Sequence, residues 1–299
     1  MQLPKKEIDL FFKLLHHLLI FTNNEKKIFK KIKSIEEFYN IKLENQSEIR
    51  DTLFQNIDLI DKFIDKNPYN FSEIELGHIL KWKNFKMGKF YIMTFLKDCT
   101  VFYESSENSK KEAKPYGVMS LYSRFDEMID KNQLPYMIHA NLIPFKDWIV
   151  TDGLWGTYNI YFGSNMARSL KQEYNEAKAK YGIIKNFDQK KKNDLEQKID
   201  LLKMYLKTDR NIEYYKEEVE KLINQNKKLF KVYIQEIGKK QARKLKKYLE
   251  SCYFRDCFFA VFGESIIASG KTKKELEKNL KNILHKDNAD WINIFRLKK

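Results

Sequence analysis

Lys89-Phe90-Tyr91-Ile92-Met93-Thr94-Phe95-Leu96-Lys97 is the stretch on which the fold turns. At Gly88, just before it, the apolar spacing changes from the 3.6-residue period of a helix to the two-residue period of a strand. With Thr100–Glu104 the stretch predicts a hairpin, and Ser105–Lys114 reads as a polar loop. Tyr116–Leu121, Leu134–Ile143, Lys146–Thr151 and Thr157–Phe162 read as further strands, separated by the turn residues Pro144, Asp152-Gly153 and Gly163. Strands joined in series by short turns imply an antiparallel sheet. The class is therefore α+β and not parallel α/β.

Upstream, the first 85 residues read as helices. Leu10, Phe11, Leu14, Leu15, Leu18 and Leu19 recur at the spacing of a core-facing stripe, which Asn23-Asn24 is expected to end. A second helix would set Ile28, Phe29, Ile32 and Ile35 against a face of Lys26, Lys27, Lys30, Lys31 and Lys33. A third is expected over Ser47–Lys66, stopped by Asn67-Pro68. Ser72, followed by Glu73 and Glu75, opens a fourth carrying Leu76, Ile79, Leu80 and Trp82.

Downstream, Asn165–Tyr181, Asn193–Lys207, Asn211–Gln225 and Lys228–Glu250 read as charged helices without sustained heptads, hence packed helices and not a long coiled coil. The end of the chain reads as a ββαβ module: strands Asp256–Phe262 and Ser265–Ser269, helix Lys273–Leu284 and strand Asp290–Leu297. The expected division is a helical region 1–87, an antiparallel α+β domain 88–187, a charged helical segment 188–250 and the module 251–299.

Residues 70–187 resemble a family of uncharacterised bacterial and archaeal proteins. The likeness is carried by ELGHILKWKNFKMGKFYI, by YGVMSL, and by LIPFKDWIVTDGLWGTYNIYFG followed by a helix ending in YGII. Some members of that family carry a short C-terminal Cys-rich zinc motif; this chain has none, so the resemblance implies no metal. Residues 255–297, with FFAVFGESIIASGKTKKELEKNLKNIL and WINIF, resemble a small prokaryotic ββαβ domain of unknown function. Both resemblances imply an architecture and no reaction.

Lys and Arg total 56 against 41 Asp and Glu, a net charge of +15 over 299 residues. Only seven of the cations are Arg, and 49 are Lys. That excess, with abundant Asn, Ile, Phe and Tyr, matches the codon supply of an AT-rich genome, so much of the charge is solvated surface. Readers of phosphates and base edges favour the planar fork of Arg. The field still attracts acidic partners, nucleic acid or an acidic protein surface. Three Cys cannot build a disulfide framework and form no CxxC pair, which points to a reducing compartment. No apolar run approaches the roughly 18–20 residues of a membrane span. A soluble, cytoplasmic protein without a membrane partner is expected.

Motifs with chemical meaning fail on spacing. Gly270-Lys271-Thr272 reads like the tail of a phosphate-binding GxxxxGK[ST] loop, but Ser265 stands where the first glycine belongs. A hairpin turn at Gly263 and a helix cap at Thr272 with Glu275 account for every residue there. His16-His17 are adjacent on a helix and cannot face one metal; His17 is placed nearer the apolar stripe and His16 with Lys13. Cys252 and Cys257 suit no common zinc knuckle and read as buried thiols. Asp147 and Asp152 could pair for acid–base or Mg²⁺ work, though Asp152-Gly153 also makes an ordinary turn.

The remaining signal is Lys239, Lys240, Arg243, Lys244, Lys246 and Lys247, six cations in nine residues, flanked by Tyr233 and Tyr248. Such a helix suits salt-sensitive binding to phosphates, and equally a solvated face near a helix C-terminus. The sequence therefore favours a non-catalytic, cofactor-free basic protein that engages nucleic acid or a nucleoprotein. Conflict between a host and a phage or mobile element is a setting that fits. An adaptor docking a partner protein comes second, and a hydrolase or nuclease third.

Overall fold

The computed structural model describes residues 2–105, 112–158, 160–190, 192–284 and 290–298. The centre of the expected polar loop and His285 lie outside the described residues. The chain forms two compact units, 1–191 and 192–299.

Five helices open the first unit: α1 (Lys5–Lys26), α2 (Ile35–Asn40), α3 (Leu43–Gln55), α4 (Asp58–Lys66) and α5 (Glu73–Lys81). Asn23 and Asn24 do not end α1. Their side chains instead hold the next loop: Asn23 Oδ1 accepts from Phe29 N–H, and Asn24 Oδ1 accepts from Ile32 N–H. The helix stops at Lys27, whose φ of 55° is left-handed. Residues 28–34 are consequently not helical, and α2 starts only where the Ser34 hydroxyl accepts from Glu37 N–H. The expected third helix is two helices, α3 and α4, separated at Asn56. Ser72 and Glu75 form a reciprocal capping box on α5.

The strands that follow are β1 (Lys86–Phe95), β2 (Thr100–Glu104) and β3 (Pro115–Val118), then β4 (Tyr136–Phe145), β5 (Trp148–Thr151) and β6 (Gly156–Thr157). A short helix, α6 (Phe125–Met128), lies between β3 and β4, and α7 (Ser164–Tyr181) follows the sheet. All ladders are antiparallel except β3–β5, where Val118 faces Ile149 in parallel. The sheet closes: β1 pairs β2, β2 pairs β3, β3 pairs β5, β5 pairs β4, and β4 returns to β1 with Phe90 opposite Ile138. Pro144, expected in a turn, sits inside β4 opposite Ile149. Of the described residues in the expected strand over 157–162, only Thr157 pairs as sheet.

Alternation along these strands fills two cores. Phe90, Ile92, Phe102, Tyr116, Val118, Ile138, Ala140, Leu142 and Ile149 form the barrel interior, stoppered by Phe125 and Ile129. Tyr91, Val101, Tyr103, Met119, Met137, Ile143, Phe145 and Val150 face outward and pack with the helices. Phe11 joins the layers, its ring 5.5 Å from Trp82 and 5.2 Å from Phe145. Burial on both faces explains why β1 reads as a nearly continuous apolar run.

The second unit contains α8 (Asp194–Tyr205), α9 (Asp209–Tyr214), α10 (Lys216–Gln225) and α11 (Lys227–Ser251), followed by β7 (Cys257–Phe262), β8 (Ser265–Gly270), α12 (Lys273–Lys281) and β9 (Asn293–Leu297). Leu202, Leu206, Val219, Leu222, Leu229 and Ile237 make the core of its helices. β7 is the central strand of a separate three-stranded antiparallel sheet, order β8-β7-β9. Gly263 takes φ 55° at the hairpin turn. Gly270 touches α12 so closely that an added Cβ would stand 2.6 Å from Leu276 N. The capping box is altered: Thr272 Oγ1 accepts from Glu275 N–H, but Glu275 reaches back to Lys271 N–H.

Candidate functional site

Charge is unevenly shared between the units. Residues 192–299 hold 26 Lys and Arg against 16 Asp and Glu, so +10 of the net +15 lies in the smaller unit. The six cations singled out in the sequence all lie on α11. Helical geometry sets Lys239, Arg243, Lys246 and Lys247 on one side, with Lys240 and Lys244 adjoining.

Their electrostatic states differ. Lys239 pairs with Glu236 at 2.6 Å, one turn back on the same helix. Lys240 and Lys244 both reach Asp209 at the start of α9, at 2.6 and 3.2 Å. Those two ammonium groups hold the Asp209 carboxyl below its ordinary value, chiefly by hydrogen bonding. Lys246 makes only a 4.0 Å contact with Glu250. Arg243 and Lys247, one turn apart and both exposed, have no carboxylate partner among the described residues. Three carboxylates thus offset part of the six charges, and the free charge concentrates on Arg243 and Lys247. Tyr248, beside Lys247, is 65% exposed.

Closure of β1-β2-β3-β5-β4 gives the barrel an outer surface over β2 and β3. Here that outer surface is covered. Tyr103 of β2 packs against Tyr174 of α7 at 6.0 Å, and a Cβ on Gly117 of β3 would collide with Cys99 and Ile183. The α11 positions 243 and 247, by contrast, are exposed.

The other candidates fall apart in space. Asp147 sits exposed in the β4–β5 turn, whereas Asp152 is buried at the opposite end of β5. His16, assigned to the rim by sequence, is the more buried of its pair at 8% exposure; His17 is half-buried, its Nδ1 2.7 Å from the Lys13 carbonyl. The reversal arises because α1 is covered on several sides, by α2, α3, α4 and α5. Cys252 is exposed at the end of α11 and Cys257 is half-buried, so only Cys99 is a buried thiol. No group of three His, Cys, Asp or Glu able to hold a metal ion occurs among the described residues.

One polar cluster was not legible. The Asp152 carboxylate, 3% exposed, accepts from Asn141 Nδ2 at 2.7 Å and from Leu154 N–H at 3.0 Å, and pairs with Arg50 at 3.4 Å. Burial pushes its pKa up to about 6, against the opposing pull of Arg50 and Asn141. Arg50 also donates to the Leu154 carbonyl at 2.9 Å, tying α3 to the turn after β5. The only signal was compositional, one of the seven Arg of the chain standing in a helix that holds no Lys.

No protein-family model, no curated protein sequence and no solved structure matches this chain.

Proposed function

We propose that the chain is a non-catalytic binding protein that engages the sugar–phosphate backbone of nucleic acid through the exposed face of α11. The observation that carries this reading is the pair Arg243 and Lys247, exposed one turn apart and without a carboxylate partner among the described residues. It is supported by the +10 charge of the unit around them. Lys239 and Lys246 flank the pair; their acidic partners are side chains of the same helix that an incoming phosphate can replace. A cytoplasmic setting goes with this reading, since Cys99, Cys252 and Cys257 are free thiols.

Binding of this kind releases counterions, so affinity should fall steeply with salt. The test is fluorescence anisotropy of a labelled single-stranded DNA of about 20 nucleotides, titrated between about 50 and 300 mM salt. Arg243→Gln/Lys247→Gln should flatten the salt slope by about 1.4, two cations at about 0.7 each. Lys240→Gln/Lys244→Gln should change it less, because Asp209 already neutralises much of that pair. Absence of salt-dependent binding in the wild type, or an unchanged slope in the first variant, overturns the reading.

A further inference from the structure

A cavity of about 210 Å³ opens in the first unit between α1, α2, α3, the Tyr122 loop and the turn after β5. Its walls are aromatic. Tyr122 lies parallel on Phe12 at 5.1 Å and 7°, and Phe12 lies on His16 at 5.3 Å and 26°. Phe38 and Tyr39 approach the same imidazole at 5.4 and 4.9 Å. Tyr39 and Tyr122, 57% and 58% exposed, stand toward solvent, while Phe38 is fully buried.

No free ion faces the cavity from the described residues. Asp152 is the one carboxylate among the described lining residues, and its oxygens are taken up by Asn141, Arg50 and the Leu154 amide. His16 is neutral at physiological pH, because burial and the neighbouring His17 lower its pKa to about 4. An ion entering here would lose its hydration without gaining a counter-charge, so the site selects against ammonium, carboxylate and phosphate.

Polar capacity remains at two points. Gln46 spends both amide hydrogens on the Phe38 and Ile41 carbonyls, which leaves Oε1 as an acceptor without a partner among the described residues. His16 Nδ1 is engaged by the Tyr39 hydroxyl at 3.1 Å. With Tyr39 donating to Nδ1, the neutral ring carries its proton on Nε2 and offers a donor. One donor and one acceptor between flat apolar walls complement a molecule that has a carbonyl and an N–H on one planar ring. The volume lies below the roughly 300–1,000 Å³ of drug-sized sites, which limits the occupant to one or two rings.

We propose that this cavity binds an uncharged, planar nitrogen heterocycle with an amide-like edge, of the size of a nucleobase. The cavity belongs to the first unit and α11 to the second, and binding in the cavity does not depend on what α11 does. Such a ring could arrive free or as a base of a strand.

The test is a ¹H–¹⁵N NMR titration of the full chain with uracil and hypoxanthine, beside toluene as an apolar ring and benzoate and benzylamine as charged rings. Uracil or hypoxanthine should shift resonances of residues 12–19, 38–46, 122 and 152–154, with the charged rings at least tenfold weaker. Leu154→Trp, which fills the half-exposed mouth, should abolish the shifts while leaving the spectrum folded. Gln46→Met should weaken binding about tenfold, the loss of one hydrogen bond. A four-nucleotide RNA that binds more tightly than uracil identifies a strand as the source; free uracil binding more tightly identifies a small molecule. No heterocycle binding at millimolar concentration overturns the proposal. So does binding of toluene or the charged rings as tight as that of the heterocycles, or an unaltered Leu154→Trp.

Discussion

Arg50 on α3 and Asp152 after β5 are 102 positions apart in sequence and meet at 3.4 Å, with Arg50 only 12% and Asp152 1% exposed at the side chain. A buried pair of this kind is costly to break, because the remaining charge loses its partner and stays out of water. Arg50→Met should therefore destabilise the first unit by about 3–5 kcal/mol at pH 7.5. The loss should shrink toward pH 5, where Asp152 takes up a proton. Arg50→Met/Asp152→Asn should recover part of it, since the stranded carboxylate is then gone. Urea midpoints of the four proteins form the double-mutant cycle that decides this.

Asp152 also makes its own pH signature. Its folded pKa of about 6 lies above the ordinary value of 3.8, so the fold binds a proton that the unfolded chain releases. Its stabilising contribution is complete below pH 4 and is lost as pH rises through 6. The difference in unfolding free energy, wild type minus Asp152→Asn, should fall by about 2 kcal/mol between those limits. Denaturant unfolding of both proteins at several pH values measures it; a difference that rises with pH refutes it.

The sequence was informative where structure is local. The change of period at Gly88, the Ser72 cap and the ββαβ order of the C-terminal module all reside within one or two neighbouring elements. Closure of the barrel was not legible, because it depends on β1 meeting β4 and β3 meeting β5, pairings that alternation does not specify. Asn23 and Asn24 look like breakers in sequence, yet their amides bond to a loop that is only defined once α1 has packed. The basic cluster on α11 was plain as composition, but its division into paired and free cations required Asp209 from another helix. The aromatic cavity was not legible. It joins side chains from positions 12 to 154, and of its polar members the sequence singles out only His16, set beside Lys13, and Asp152, in a turn.

Gly270 separates a structural turn from a phosphate loop. A Cβ there would stand 2.6 Å from Leu276 N and 3.2 Å from the Glu275 carbonyl carbon, both backbone atoms that cannot swing away. Gly270→Ala should cost about 1–3 kcal/mol by forcing α12 off β8. Lys271→Ala, at an exposed site, should change stability by no more than about 0.5 kcal/mol. A phosphate-binding loop would instead make nucleotide stabilise the wild type and make that effect depend on Lys271. Thermal melts of the three proteins with and without ATP and Mg²⁺ distinguish the two roles.

His16 carries a pH dependence opposite to that of Asp152. Burial and the charge of His17 lower its folded pKa to about 4, beneath the ordinary 6.5, so between those values the unfolded chain binds the proton that the fold refuses. Its contribution is complete above pH 6.5 and is lost as pH falls through 4. His16→Gln removes the titration and keeps a side chain with polar atoms facing Tyr39. The difference, wild type minus His16→Gln, should rise by about 3 kcal/mol from pH 4 to 6.5, while the corresponding difference for Asp152→Asn falls. The two signatures partly cancel in the wild type, whose own profile is flatter than either difference. Urea unfolding of all three proteins on one set of buffers reads both signs together; parallel differences would show that the imidazole is charged in the fold.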